Sequence, residues 1–148
     1  MQDGGGQTDL GLCVVMTDRS GPVTVLAVDD HPRFLEAARA VVEATPGFAW
    51  AGGASSGEEA LATAAGSDLD MVLVDVNMPQ MDGFELTRRL RAAHPRTLVA
   101  LISAQRPEEL RLSGGSEEHR VFPKESLRPA WLRRFWQENG DSSIRGSK

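Results

Sequence analysis

The chain has 148 residues, 41% hydrophobic and 25% charged, which suits one domain whose core needs neither a disulfide nor a structural metal. These values exclude a disordered, collagen-like or disulfide-scaffold chain, and the single Cys13 can build neither an internal disulfide nor a metal cluster. A net charge of −5, from 16 Lys+Arg against 21 Asp+Glu, is a poor balance for holding nucleic acid, and no apolar stretch approaches the ~20 residues of a membrane span, so a cytoplasmic protein is expected.

Residues 1–22 are Gly-rich and polar apart from LGLCVVM and read as a flexible N-terminal extension, within which Met16 could serve as an alternative start. VTVLAV (23–28) is a continuous β-branched run, the pattern of a strand buried on both faces. Phe34, Leu35, Ala38, Val41 and Val42 then form a helical stripe over 33–44, stopped by TPG. FAWAG (48–52) reads as a short strand. A second helix follows, with Ser56 as N-cap, Glu59 three residues on and Gly66 as its stop.

DMVLVDV (70–76) is another buried strand, MPQMDG a loop, and 84–94 an amphipathic helix closed by Pro95. TLVALIS (97–103) is a further strand, and RPEELRLSGG a short polar helix with Pro107 in its first turn. RVFPK (120–124) is a weaker strand. ESLRPAWLRRFWQENG is the last helix, with Gly140 as its C′ residue, and 140–148 reads as a disordered tail. Strands alternating with helices imply an α/β fold: an open five-stranded parallel sheet with helices on both faces.

In such sheets, chemistry gathers where strands end at their carboxyl edges. Those ends carry Asp29 and Asp30, then Asp75, Ser103 and Lys124. A single acid after a strand is ordinarily just a helix cap, and a single lysine a solvated charge. Five such residues on one edge are a different matter. Three carboxylates brought together repel one another, and a divalent cation removes that cost. An all-oxygen donor set favours Mg²⁺ over Zn²⁺. A carboxylate beside Mg²⁺ can attack a phosphoryl group to give an aspartyl-phosphate, with Lys124 and Ser103 the right types to hold the phosphoryl oxygens.

The segments VTVLAVDDHPRFLEAARAVVE, MVLVDVNMPQMDGFELTRRLR, LISAQ and VFPKESL resemble the receiver domain of two-component response regulators, over residues 23–139. They are most similar to the subfamily whose receivers usually precede a helix-turn-helix DNA-binding domain. No such domain is expected after residue 140; that the chain is a fragment of a longer regulator is the last of the alternative readings. The resemblance implies a flavodoxin-like sheet of strand order 2-1-3-4-5. It implies Asp75 as phosphoacceptor, Asp30 as a direct Mg²⁺ ligand, Asp29 as a ligand mainly through water, and the Asn77 backbone carbonyl as a further ligand. Ser103 and Lys124 would bind the phosphoryl group, and Asn77 and Gln105 would tune its loss. The implied partners are a sensor histidine kinase or phosphotransfer protein and a downstream protein partner. Direct nucleic-acid binding, membrane contact and enzymatic turnover are not expected.

The chain departs from that family at several points. Relatives usually carry Tyr or Phe three residues before the lysine as a rotating switch. Val121 stands there, and the adjacent Phe122 should point to the other side of the sheet. Glu125 replaces a common Pro, and 106–119 is unusually polar. These departures leave open a phosphorylation-independent interaction module. An aspartyl phosphatase is a third reading, although such enzymes want an acid where Asn77 stands.

His94 and His119 read as surface residues, and His31 as a surface residue at a helix start, with a phosphohistidine or ligand role as the lesser alternative. Arg88, Arg89, Arg91, Arg133 and Arg134 read as solvated helix faces. Trp131, Leu132, Phe135 and Trp136 read as core packing, with a homodimer contact as the alternative use of any that stay exposed.

Overall fold

The structure, a computed structural model, describes residues 21–104 and 120–140. Among the described residues the elements follow in the order β1 (Val23–Val28), α1 (Pro32–Glu43), β2 (Phe48–Ala54), α2 (Gly57–Ala65), β3 (Met71–Asp75), α3 (Gly83–Ala93), β4 (Leu98–Ser103), β5 (Val121–Pro123) and α4 (Pro129–Phe135). All strand pairs are parallel and the sheet order is β2-β1-β3-β4-β5, as the sequence resemblance implied. Met16, Gln105, His119, the polar segment 106–119 and the tail 141–148 lie outside the described residues.

Alternation along the strands sends side chains to two separate cores. Leu26, Val28, Val72, Val74 and Leu101 pack with Leu86 and Leu90 of α3 and Ala60 and Ala64 of α2. Val25, Ala27, Leu73, Ala100 and Ile102 pack on the other side with Val42 of α1 and Leu132 and Phe135 of α4. A sheet covered on both faces explains why the middle strands read as unbroken apolar runs. Val121 joins the first cluster and its neighbour Phe122 the second, the opposite placement expected from the period of two.

Three boundaries differ most from the sequence reading. β2 runs on to Ala54, past the glycines that looked like its end. The ladder shifts between Val25 and Leu26, so Ala51 is an extra residue in the β2 edge, and Gly52, at φ 141°, supplies the backbone that lets pairing resume. The last helix starts at Pro129, not near Glu125. Lys124–Ser126 form a 3₁₀ turn instead, and Arg128 is extended because a residue before proline is barred from the helical region. At the other end, Gly140 does not sit past the helix as a C′ residue. It closes a π-helical turn over Trp136–Gly140, against the Trp136 ring.

The helix starts follow their capping chemistry. The Ser56 hydroxyl accepts from the Glu59 N–H at 3.1 Å, and the Glu59 carboxylate accepts from Ser55 N–H at 2.7 Å. The Ser55 N–H, and then the Ser55 hydroxyl donating at 3.0 Å, hold the Glu59 carboxyl below its ordinary range. Asp82 caps α3 by accepting from Glu85 N–H at 2.9 Å. At the amino-terminal edge, Thr24 N–H and hydroxyl donate to Asp70 Oδ2 at 2.8 and 3.0 Å, which ties β1 to the start of β3. The carboxyl edge is thereby left to the other acids.

Candidate functional site

Each side chain at the carboxyl edge is placed by the end of its strand. Asp29 follows β1 and stays in the ladder, its N–H donating to Ala54 O at 2.9 Å, and the residue is fully buried. Asp30 comes next and keeps partial exposure, 32% for its side chain. Asp75 is the last residue of β3, paired with Ile102 and 2% exposed. Ser103, buried, is one step beyond Ile102 on the neighbouring strand. Lys124 opens the 3₁₀ turn directly after β5. Asn77 is exposed, two residues past Asp75, and its backbone N–H bonds the Asp75 carboxylate.

Lys124 Nζ lies 2.5 Å from Asp29 Oδ2 and 3.6 Å from Asp75 Oδ1. The same ammonium rests 4.6 Å from the centre of the Phe34 ring on α1, which favours a cation with few water neighbours. Burial, then the neighbouring Asp29 charge, pushes the Asp75 carboxyl up to about 6, against the downward pull of Lys124 and the Asn77 N–H. A carboxylate with that value is still mostly ionised at neutral pH and is more basic than a solvated aspartate. Both properties suit a nucleophile.

The sequence reading put His31 on the surface at a helix start. It does occupy the N-cap position of α1, exposed and with no side-chain cap bond. Its ring, however, turns back toward the acids. Nδ1 is 2.9 Å from Asp29 Oδ1 and 3.2 Å from Asp30 Oδ1, and the His31 N–H also donates to Asp29 Oδ1 at 2.9 Å. The hydrogen bond to Asp29, then the Asp30 charge, raises the imidazole above its ordinary value. The only sequence signal for this was its position beside the acid pair. Phe34 beneath Lys124 carried no signal beyond its place in the apolar stripe.

One oxygen each from Asp29, Asp30 and Asp75 and a ring nitrogen of His31 lie within 4.8 Å of one another. Asp29 Oδ2 and Asp30 Oδ1 are buried and face cationic or ionisable groups, Lys124 Nζ at 2.5 Å and His31 Nδ1 at 3.2 Å respectively. Buried carboxylate oxygens with spare lone pairs converging on a small volume fit a divalent cation. Gly83, at the start of α3, approaches this strand end so closely that a Cβ there would run into Asp75 O and the Val76 backbone.

The chain matches the family model described as the response regulator receiver domain over residues 25–117. It is 33% identical over 88 residues to the nitrate/nitrite response regulator protein NarL of Escherichia coli K12, a match covering 60% of this chain and 41% of that protein. The chain thus aligns with less than half of that curated relative's length. Among solved structures, it resembles the signal receiver domain of an HD domain-containing protein from Pseudomonas fluorescens Pf-5, with TM-score 0.71, 20% identity, and coverage of 90% of this chain and 96% of that one. It also resembles response regulator protein TrrA of Thermotoga maritima, solved in complex with Mg(2+)-BeF, with TM-score 0.63, 23% identity, and coverage of 78% and 96%. At those identities the likeness shows the fold alone.

Proposed function

The chain belongs to the response regulator receiver domain family of two-component systems, and from that premise we propose that it accepts a phosphoryl group on Asp75. The observation that carries this reading is the Asp75 carboxylate itself: buried, basic and 3.6 Å from the Lys124 ammonium. The donor would be a phosphohistidine on a kinase or phosphotransfer protein. An Asp75 oxygen attacks phosphorus, an O–P bond forms, and the N–P bond to the donor imidazole breaks as that ring takes up its electron pair.

Asp29, Asp30, Asp75 and the Asn77 carbonyl are the residues we assign to holding Mg²⁺, which when bound supplies positive charge for the carboxylates and the incoming phosphoryl oxygens. Lys124, moving from Asp29 toward the new group, and the Ser103 hydroxyl on the adjacent strand would hold those oxygens. The added charge of about −1.5 to −2 would then bias the surrounding loops and so the binding of a protein partner. Catalytic turnover by this domain is not part of the reading. Asn77 offers no proton where a phosphatase would need an acid.

The test is intact mass after incubation with Mg²⁺ and acetyl phosphate, beside the Asp75→Asn variant. The expected result is a Mg²⁺-dependent gain of one phosphoryl group by the parent and none by the variant. Equal labelling of both would overturn the assignment of Asp75.

A second reading, an interaction module that signals without phosphorylation, draws on Val121. The usual switch aromatic is replaced there, and Phe122 is held on the other face in T-shaped contact with both Trp131 and Phe135, which stack on each other at 5.0 Å. A shift in oligomeric state or partner binding on adding beryllium fluoride with Mg²⁺ would set that second reading aside.

A further inference from the structure

His31 stands in a geometry that a surface histidine does not need. Donor atoms at neighbouring corners of an octahedron with bonds of about 2.1 Å lie about 3.0 Å apart. The distances from His31 Nδ1 to Asp29 Oδ1 and Asp30 Oδ1 are 2.9 and 3.2 Å. Opposite corners would be about 4.2 Å apart by the same bond length. The four candidate atoms, including one from Asp75, all fall within 4.8 Å. Asp29 is wholly buried and its Oδ2 is already answered by a cation, the Lys124 ammonium at 2.5 Å, the place a divalent ion would take as that ammonium moves toward Asp75.

We propose that His31 Nδ1 is a nitrogen ligand of this pocket, and that it shifts the site's preference from Mg²⁺ toward borderline divalent ions such as Mn²⁺ and Zn²⁺. The inference rests on the reading above that the three acids hold a divalent cation. Mg²⁺ prefers an all-oxygen shell and retains water in place of imidazole, so it gains little from His31. Imidazole suits the later first-row ions, whose affinity for a nitrogen donor rises along the series. For Nδ1 to bind a metal its proton must leave, passing to solvent from the imidazolium or sitting on Nε2 in the neutral ring, and the present contact with the carboxylate is then replaced by two bonds to the same ion. The fixed His31 backbone, tied by its N–H to Asp29 Oδ1 at 2.9 Å, keeps the ring poised for that exchange.

The test compares the full chain with His31→Ala and His31→Asn, titrated separately with Mn²⁺ and Mg²⁺. His31 is exposed and its side chain caps nothing, so both variants should fold as the parent does. We expect Mn²⁺ affinity to fall roughly tenfold in both variants while Mg²⁺ affinity changes less than about threefold. Electron spin-echo spectra of bound Mn²⁺ should show nitrogen modulation in the parent and none in either variant. His94→Ala, which alters an imidazole far along the chain at the end of α3, should keep that modulation. Mn²⁺ and Mg²⁺ affinities that fall by the same factor, or nitrogen modulation that survives in His31→Ala, would overturn the role of His31 and leave the acid site standing. No binding of either ion to the parent would instead overturn the acid site itself.

Discussion

Lys124 Nζ sits 2.5 Å from Asp29 Oδ2 and 3.6 Å from Asp75 Oδ1, so its nearer partner is the buried acid, not the proposed phosphoacceptor. Asp29 is fully enclosed, and its charge has no exit to water. Removing the lysine would leave Oδ2 of that carboxylate without its cation, while Oδ1 kept its bonds to His31. Lys124→Met should therefore destabilise the domain by about 2–3 kcal/mol in metal-free buffer, somewhat below the cost of breaking a deeply buried pair because the lysine keeps 17% exposure. Adding Asp29→Asn to the same chain should restore most of the loss, since no charge is then left buried. Urea unfolding of the two single variants, the double variant and the parent measures this. A double variant no more stable than Lys124→Met would show that the pair carries no such coupling.

Asp75 gives stability a specific pH dependence. Its folded value is raised from 3.8 to about 6, so the native state binds this proton more tightly than the unfolded state does. The contribution is fully present below about pH 4 and is lost as pH rises through 6. Above that point the ionised group is a burden, worth about 1–2 kcal/mol once screening is allowed for. Asp75→Asn should thus be more stable than the parent at pH 7.5 and indistinguishable from it at pH 3.5. Millimolar Mg²⁺ should narrow the gap at pH 7.5 by stabilising the parent more than the variant. Denaturant midpoints across pH test both statements, and a gap that persists unchanged at pH 3.5 would contradict the first.

The strand ends were legible because each belongs to a local pattern. An apolar run closed by Asp29, Asp75, Ser103 or Lys124 needs no knowledge of the rest of the fold. The placement of Phe122 opposite Val121 was legible for the same reason, through the period of two. What escaped depended on contacts between distant segments or on backbone detail. Nothing local says that Lys124 chooses Asp29, which precedes it by most of the chain. The ring of His31 could as well have pointed to solvent, and its position at the N-cap of α1 made that the ordinary expectation. The glycines of β2 looked like a strand end because they weaken strands, yet a bulge at Ala51 keeps them in the ladder as far as Ala54. The late start of α4 was written in Arg128 and Pro129, but the apolar stripe that follows drew the helix too early.

Phe122 should behave as a structural residue and not as a switch. Its ring meets Trp131 at 5.1 Å and Phe135 at 5.3 Å, both edge-on, and Arg120 covers it at 4.9 Å. Truncation to Ala removes those contacts and should cost about 2–3 kcal/mol, less than a fully buried phenylalanine because the ring is only half-buried. The rate of Asp75 labelling by acetyl phosphate should change less than about threefold at a temperature where the variant is folded. A tenfold change in labelling with little change in stability would identify Phe122 as part of the signalling machinery instead.

Gly83 makes the sharpest packing prediction, because a neighbouring glycine supplies its control. Both Gly83 and Gly57 sit at the first turn of a helix, where alanine would ordinarily gain about 1 kcal/mol. At Gly83 the added methyl would meet main chain, Asp75 O and the Val76 Cα at 2.7 Å, which cannot move without moving the strand end. At Gly57 it would meet the Met81 side chain, with Sδ at 2.6 Å, an unbranched chain that can turn aside. The overpacking cost of about 1–3 kcal/mol or more should therefore outweigh the helix gain at Gly83 and be largely relieved at Gly57. Gly83→Ala should unfold at lower urea and label more slowly, because it displaces the Asp75 backbone. Gly57→Ala should stay within about 1 kcal/mol of the parent and label at the parental rate. Equal effects of the two substitutions would show that the approach of α3 to Asp75 is not what positions the carboxylate.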